Sequence, residues 1–200
     1  MAYLRSLPDR AVLRDVFAAF PQASRPLLDY HQVLLRGPSP FSVAERELIA
    51  AYVSGLNACD YCHGVHTATA QAFGVDEHLV AGLLDDLDTA PVEGRMKPVL
   101  RYVRKLTQTP SRMTAADAEA VFAAGWDERA LHDAVSVCAL FNFMNRLVEG
   151  LGIQADAGYF GVAATRLASQ GYAGLLAPPT SQGVDQGRTA GGTGTGTGKG

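Results

Sequence analysis

Apolar side chains recur along this chain at steps of three and four residues, the period of helices packed on one side. Val12, Leu13, Val16, Phe17 and Phe20 form one such stripe, so a short helix is expected from Asp9 or Arg10 through Phe20, with Pro21 beyond its end. A second helical segment is expected from Pro26 to Leu35, stopping before Gly37-Pro38. Ser42 with Glu45 three residues on is a capping-box pattern. It predicts a helix carrying Glu47, Leu48, Ala51 and Tyr52, closed or kinked by Gly55. The next helix is expected to start around Asn57 to Cys59, with Asn57 as a candidate N-cap and Gly74 at the far end.

Asp76 is read as the cap of a short helix ending near Leu84, followed by a loop holding Asp85, Asp86 and Asp88. Met96 to Leu106 reads as helix, with Pro98 tolerated in its first turn. Thr114 and Asp117 predict a helix ended by Gly125. Asp127 predicts a long helix from Glu128 to about Glu149, bounded by Gly150 and Gly152, and Asp156 or Ala157 to Ser169 gives a last segment. No stretch alternates as a strand would, so the expected fold is all-α. The end differs in kind. Eight of the last twenty residues are glycine, and only Val184 and Ala190 among them are apolar. Such a stretch buries too little surface to offset its ordering entropy. The expected organisation is one helical domain over 1–176 and a flexible Gly/Thr-rich tail over 177–200.

Composition narrows the class. Two hundred residues, 48% hydrophobic and 18% charged, suffice for one sizeable globular domain. The net charge is -3 and the seventeen basic residues are scattered, so no nucleic-acid footprint is indicated. The densest basic run, Arg95, Lys97, Arg101, Arg104 and Lys105, reads as a solvated helix face or a docking patch for an acidic partner. No segment has the roughly 18 apolar residues of a membrane span. Pro8, Asp9 and Arg10 interrupt any signal-peptide core at the start, so a cytoplasmic location is expected. Three cysteines are too few for a disulfide scaffold, and two of them fall in one CxxC, as suits a dithiol that cycles in a reducing compartment.

That CxxC carries the candidate chemistry. The segment Cys59-Asp60-Tyr61-Cys62-His63-Gly64-Val65-His66 follows Glu47 by twelve residues. At a helix start the two sulfurs can close a short disulfide, and the helix N-terminus favours a thiolate. His66 stands four residues after Cys62 and seven after Cys59, on roughly the same helix face, where it can act as base toward a thiol. Glu47 belongs to the preceding helix and would orient His66 or pass it a proton if the fold brings them together. Tyr61 could donate a hydrogen bond or shield the sulfurs, and His63, which leaves the helix in another direction, either faces solvent or flanks the site as an auxiliary residue. Asn142 and Arg146, four apart on the long helix, could bond across an interface or reach the active cavity, where Arg146 would attract an anion. Cys138 reads as apolar packing. Zinc held by Cys59, Cys62 and His66 with Glu47 or His63 is an alternative use of the same residues.

The stretch from Glu47 through His66 resembles the alkylhydroperoxidase D branch of the carboxymuconolactone decarboxylase-like superfamily. Ala139-Leu140-Phe141-Asn142-Phe143-Met144-Asn145-Arg146-Leu147 resembles its uncharacterised peroxidase-related members, and the likeness covers most of 1–176. The resemblance implies an all-helical, usually oligomeric protein that is an enzyme. By it Cys62 is the peroxidatic thiol, Cys59 the resolving partner, and His66 and Glu47 the proton relay. The implied partners are a hydroperoxide substrate, an external thiol or dithiol reductant such as a lipoyl or thioredoxin-like protein, and further copies of the chain. No cofactor is implied, and no flavin or nicotinamide fingerprint is visible. Alkylhydroperoxidase D has a histidine where this chain has Tyr61, and His63 follows Cys62 instead. The competing expectations are a disulfide oxidoreductase or redox sensor without peroxide turnover, and a decarboxylase-like lyase.

Overall fold

The computed structural model describes residues 2–176. The tail expected over 177–200 lies outside the described residues. Among those described, the regular structure is entirely helical and no strand occurs. In chain order the helices are α1 (Leu13–Ala19), α2 (Pro21–Arg36), α3 (Val43–Leu56), α4 (Asp60–Ala72), α5 (Leu79–Asp85), α6 (Met96–Gln108), α7 (Ala115–Ala123), α8 (Glu128–Gly150) and α9 (Ala157–Gln170). Short 3-10 turns at Pro110–Arg112 and Ala173–Leu176 complete it.

Three helices, α3, α8 and α9, begin where the N-cap side chain accepts one of the first free N–H groups. Ser42 Oγ accepts from the Glu45 N–H at 3.2 Å and Glu45 Oε2 accepts from the Ser42 N–H at 2.7 Å, which is the expected capping box. Asp127 and Asp156 accept from Ala130 and Tyr159 at 2.8 and 3.0 Å to open α8 and α9. Gly74 and Gly125 have positive φ, 94° and 88°, and stand just past the ends of α4 and α7.

Several boundaries differ from the sequence reading. The first helix starts at Leu13 rather than at Asp9 or Arg10, because Asp15 Oδ2 takes the Val12 N–H at 2.9 Å and fixes the cap there. Pro21 opens α2 instead of lying beyond a helix: at the first helical position its missing N–H costs nothing. Pro26, expected at the start of that segment, therefore falls inside it. Asn57 closes α3, and Cys59 is the N-cap of α4. Gly55 neither ends nor breaks α3; its hydrogen leaves room for Leu84 and the His63 ring, both of which a Cβ would strike. Asp76 accepts from the His78 N–H at 2.8 Å, making a turn ahead of α5 rather than capping it.

The core is arranged around α3. Every residue from Arg46 through Ser54 is buried, so this helix has no solvent face over more than two turns. It packs against α4, α8 and α6, while α9 lies along α4. Gly64 permits that last approach, since a Cβ there would overlap the Phe160 ring. The basic run on α6 is engaged within the chain. Lys97 bonds the Asp88 carbonyl at 2.6 Å, Arg101 pairs with Asp88, Arg104 bonds Tyr52 at 2.8 Å and Lys105 pairs with Asp117 at 2.6 Å. No helix among the described residues is long and apolar enough to cross a membrane.

Candidate functional site: a buried dithiol beside a histidine–carboxylate pair

The turn between α3 and α4 delivers the first cysteine. Ala58 and Cys59 donate their N–H groups to the carbonyls of Gly55 and Ser54, both at 3.0 Å, the two bonds of a Schellman closure. Its left-handed position is held by Ala58, at φ 51°, where glycine is usual. Asn57 ties the turn to α8 by donating to Asn145 Oδ1 at 2.9 Å and Asn142 Oδ1 at 3.1 Å, and Asn145 in turn donates to Ser54 at 3.0 Å. Cys59 thus finishes one helix and caps the next, which places Cys62 in the first turn of α4.

Both thiols are free and buried, at 0% and 3% exposure. Hydrogen bonding to the Cys62 thiol, followed by burial, pushes the Cys59 thiol far above its ordinary range. Cys59 is therefore the sulfur that keeps its proton, contrary to what its position at a helix N-terminus alone would suggest. Cys138 is buried apart from them, against Thr107 and the Val103 carbonyl.

Glu47 and His66 meet across the α3–α4 contact. Glu47 Oε2 lies 2.7 Å from His66 Nδ1, and Oε1 accepts from Arg36 Nη1 at 2.6 Å and from the Tyr172 hydroxyl at 3.1 Å. Burial raises the Glu47 carboxyl, but His66 and Arg36 together outweigh it and hold the group below the usual carboxylate range. An ionised carboxylate only accepts, so His66 Nδ1 carries the proton of the 2.7 Å bond. Arg36 also bonds the carbonyls of Leu35 and Leu167 at 3.0 and 3.2 Å, and its guanidinium stacks on Tyr172 and Phe73 at 5.0 and 5.2 Å from the ring centres.

Cys62 and His66 line one cavity of about 60 Å³. Leu28, Val65, Phe141, Met144 and Ala163 make much of its wall apolar, and His31, Tyr61, Tyr159, Tyr172 and Arg14 also line it. Tyr61 is buried and donates to the Tyr159 hydroxyl at 2.9 Å, while its oxygen accepts from the Leu13 N–H at 3.3 Å. Burial, and after it Tyr159, keeps the Tyr61 phenol protonated well beyond its ordinary range.

The remaining sequence candidates stand elsewhere. His63 turns toward α3, its Nδ1 3.0 Å from the Ala51 carbonyl. Asn142 and Arg146 share a face as their spacing predicts, and Arg146 donates to the Asn142 side chain at 3.0 Å. Neither is among the residues lining the Cys62 cavity. Arg36, Tyr172, His31 and Tyr159 were not singled out from sequence. His31 did leave a signal: it falls on the buried stripe of α2 with Ser24, Leu28 and Leu35, a polar residue in an apolar position. Among the described residues no group of three or more His, Cys, Asp or Glu side chains is arranged to hold a metal ion.

With this geometry in view, the likeness to known proteins can be placed. The sequence pattern of the carboxymuconolactone decarboxylase family matches residues 21–97, which include Glu47, both cysteines of the CxxC and His66. None of the curated proteins compared with the chain matches it. The crystal structure of an uncharacterized peroxidase-related protein from Silicibacter sp. TM1040 superposes with a TM-score of 0.69 at 28% identity, over 74% of this chain and 78% of that one. An alkylhydroperoxidase AhpD core, an uncharacterized peroxidase-related protein from Ralstonia eutropha JMP134, shares the fold with a TM-score of 0.68 at 23% identity, over 73% and 77%.

Proposed function

We propose that this chain, which belongs to the carboxymuconolactone decarboxylase and alkylhydroperoxidase D-like superfamily, is a thiol-dependent peroxidase that reduces hydrogen peroxide or organic hydroperoxides. The observation that carries the reading is the shared cavity: Cys62 faces the same small space as a histidine whose other nitrogen is fixed on an ionised carboxylate. That is the nucleophile, base and orienting group of an activated thiol.

The cycle uses the two sulfurs unequally. His66 Nε2 takes the Cys62 proton, and Glu47 stabilises the imidazolium that results. The Cys62 thiolate attacks the terminal oxygen of the hydroperoxide and the O–O bond breaks. Sulfur loses two electrons and becomes the sulfenic acid, keeping the O–H of the attacked oxygen. The departing alkoxide or hydroxide takes the proton from His66, giving alcohol or water. Cys59, the thiol that keeps its proton, then condenses with the sulfenic acid and releases water to form the disulfide. An external dithiol, of lipoyl or thioredoxin-like type, restores both thiols by exchange. Glu47 acts here as a fixed anion rather than a proton carrier, since Arg36 and Tyr172 bond its second oxygen. A homo-oligomer acting in the cytoplasm goes with this reading. The peroxidase-related description of the Silicibacter protein is in line with it.

The test is rapid oxidation of the reduced protein by hydrogen peroxide and by an organic hydroperoxide, with a thiol count afterwards. Wild type is expected to lose two thiols quickly. Cys62→Ser should consume no peroxide, and Cys59→Ser should oxidise once and stop as a sulfenic acid or an intermolecular disulfide. Equal turnover in both variants would sink the dithiol cycle. Wild-type oxidation no faster than a free thiol would shift the reading to disulfide exchange or redox sensing.

A further inference from the structure

The mechanism above leaves one buried imidazole unused. His31 is 3% exposed and sits in α2, well away in sequence from the CxxC segment, yet it lines the same cavity as Cys62 and His66. Its ring is held on three sides. Nδ1 lies 2.7 Å from the Leu27 carbonyl, Tyr172 is 5.1 Å away centre to centre at a tilt of 34°, and Phe141 meets it edge-on at 6.2 Å. A carbonyl only accepts, so Nδ1 carries a proton. Burial, against the Leu27 bond, draws the group down to about 4, so at neutral pH the ring has no second proton. Nε2 is then a lone pair. The hydrogen bonds of the described residues give it no partner, and it is not among their enclosed, unpaired side-chain atoms. His31 itself lines the cavity.

The cavity therefore holds two imidazoles, each engaged through Nδ1, with different surroundings. His66 has the Glu47 carboxylate behind it. His31 has a carbonyl behind it; burial, with His66 nearby, outweighs the pull of that carbonyl and of the Glu47 charge, so it remains an acceptor. A hydroperoxide has one O–H, on the terminal oxygen that sulfur must attack. The leaving oxygen needs a donor and the terminal one needs an acceptor. His66, once it has taken the thiol proton, is the donor.

We propose that His31 is the acceptor: its Nε2 receives the hydrogen bond of the hydroperoxide O–H and turns the terminal oxygen toward Cys62. This rests on the peroxidase reading. His31 exchanges no proton or electron. The O–H that it holds stays on the attacked oxygen and ends in the sulfenic acid, while the alkoxide or hydroxide is protonated from His66. The result is a substrate-contacting residue that a thiol reagent without an O–O–H group does not need.

That difference supplies the test. The rate constants of Cys62 in the reduced full-length protein are measured with hydrogen peroxide, with tert-butyl hydroperoxide and with iodoacetamide. His31→Phe keeps a ring between Tyr172 and Phe141 but offers no acceptor; His31→Met is a second, flexible apolar filler; His31→Gln returns an acceptor oxygen. The apolar variants are expected to react with both peroxides at least about tenfold more slowly, the scale of one good hydrogen bond, and with iodoacetamide within about twofold of wild type. His31→Gln should recover part of the peroxide rate. Circular dichroism and thermal melting select the variants that are folded. Peroxide rates unchanged in a folded apolar variant would overturn the role of His31 alone. Peroxide and iodoacetamide rates falling together would assign His31 to packing or thiol activation instead. A wild type that is slow with both peroxides would remove the peroxidase reading and this role with it.

Discussion

Of the groups bonded to Glu47 among the described residues, Arg36 is the one that is charged at every working pH. A carboxylate at 0% exposure cannot fall back on water when that cation is removed. Arg36→Met is therefore expected to cost about 3–5 kcal/mol, the usual consequence of stranding one partner of a buried pair. Adding Glu47→Gln should return part of that loss, because the amide needs no counter-charge. Urea unfolding of the two single variants and the double closes the cycle. Strict additivity would mean that the 2.6 Å contact carries no coupling of its own. The same comparison shows what was readable at this scale. Glu47, Cys59, Cys62 and His66 lie within twenty residues, and their spacing on two neighbouring helices points at one site. Arg36 and Tyr172 complete the carboxylate from α2 and from the turn after α9; Tyr172 stands 125 positions from Glu47, and Arg36, eleven positions away, sits on a different helix where no helical spacing links the two.

Helix starts are legible where the N-cap side chain itself accepts the first free N–H, as at Ser42, Asp127 and Asp156, but not at α1, where Asp15 bonds back to the Val12 N–H from inside the helix. They were misread where one residue serves two helices. Phe20 ends α1 and caps α2, and the turn from Asn57 to Cys59 ends α3 and caps α4, so a single-helix rule assigns Pro21 and Asn57 to the wrong side. That second turn gives a paired prediction. Ala58 occupies a left-handed position at φ 51°, and Ala58→Gly removes the Cβ strain, worth about 1 kcal/mol of added stability. Gly64→Ala should do the reverse. It gains helix propensity but drives a Cβ into the Phe160 ring, and forced repacking of this kind costs about 1–3 kcal/mol. Because Gly64 sets the approach of α9 to α4, the variant should also move Tyr159 relative to Tyr61 and speed alkylation of Cys62. Gly161→Ala is the control on α9: a Cβ there meets nothing, so the variant should be neutral or about 1 kcal/mol more stable. Chemical denaturation with thiol labelling reads all three, and a destabilised Gly161→Ala would show that the α4–α9 contact is not what discriminates them.

At the scale of the whole molecule, the groups that make the site also set the acid limit of the fold. His31 titrates near 6.5 in an unfolded chain and at about 4 in the folded one. Between those values the unfolded state binds the extra proton, so stability is complete above the upper value and falls as pH drops toward the lower. One proton gives a slope of about 1.4 kcal/mol per pH unit, and the whole interval amounts to about 3 kcal/mol. Glu47 acts lower down. Its folded carboxyl is depressed, so its contribution is present above the ordinary carboxylate range and is lost as pH falls through the folded value. Wild type should accordingly weaken in two stages, first through His31 and then through its depressed carboxylates, Glu47 together with Asp133 and Asp117. His31→Phe should lose the first stage and keep the second, whatever its stability at neutral pH. Urea midpoints at pH 7, 6, 5 and 4.5 follow the first stage and midpoints below the ordinary carboxylate range follow the second; the expected difference is one of slope and is insensitive to the packing change. An acid slope unaltered in His31→Phe would show that the ring does not stay neutral in its cavity, and the lone pair required at the terminal oxygen of the peroxide would be lost with it.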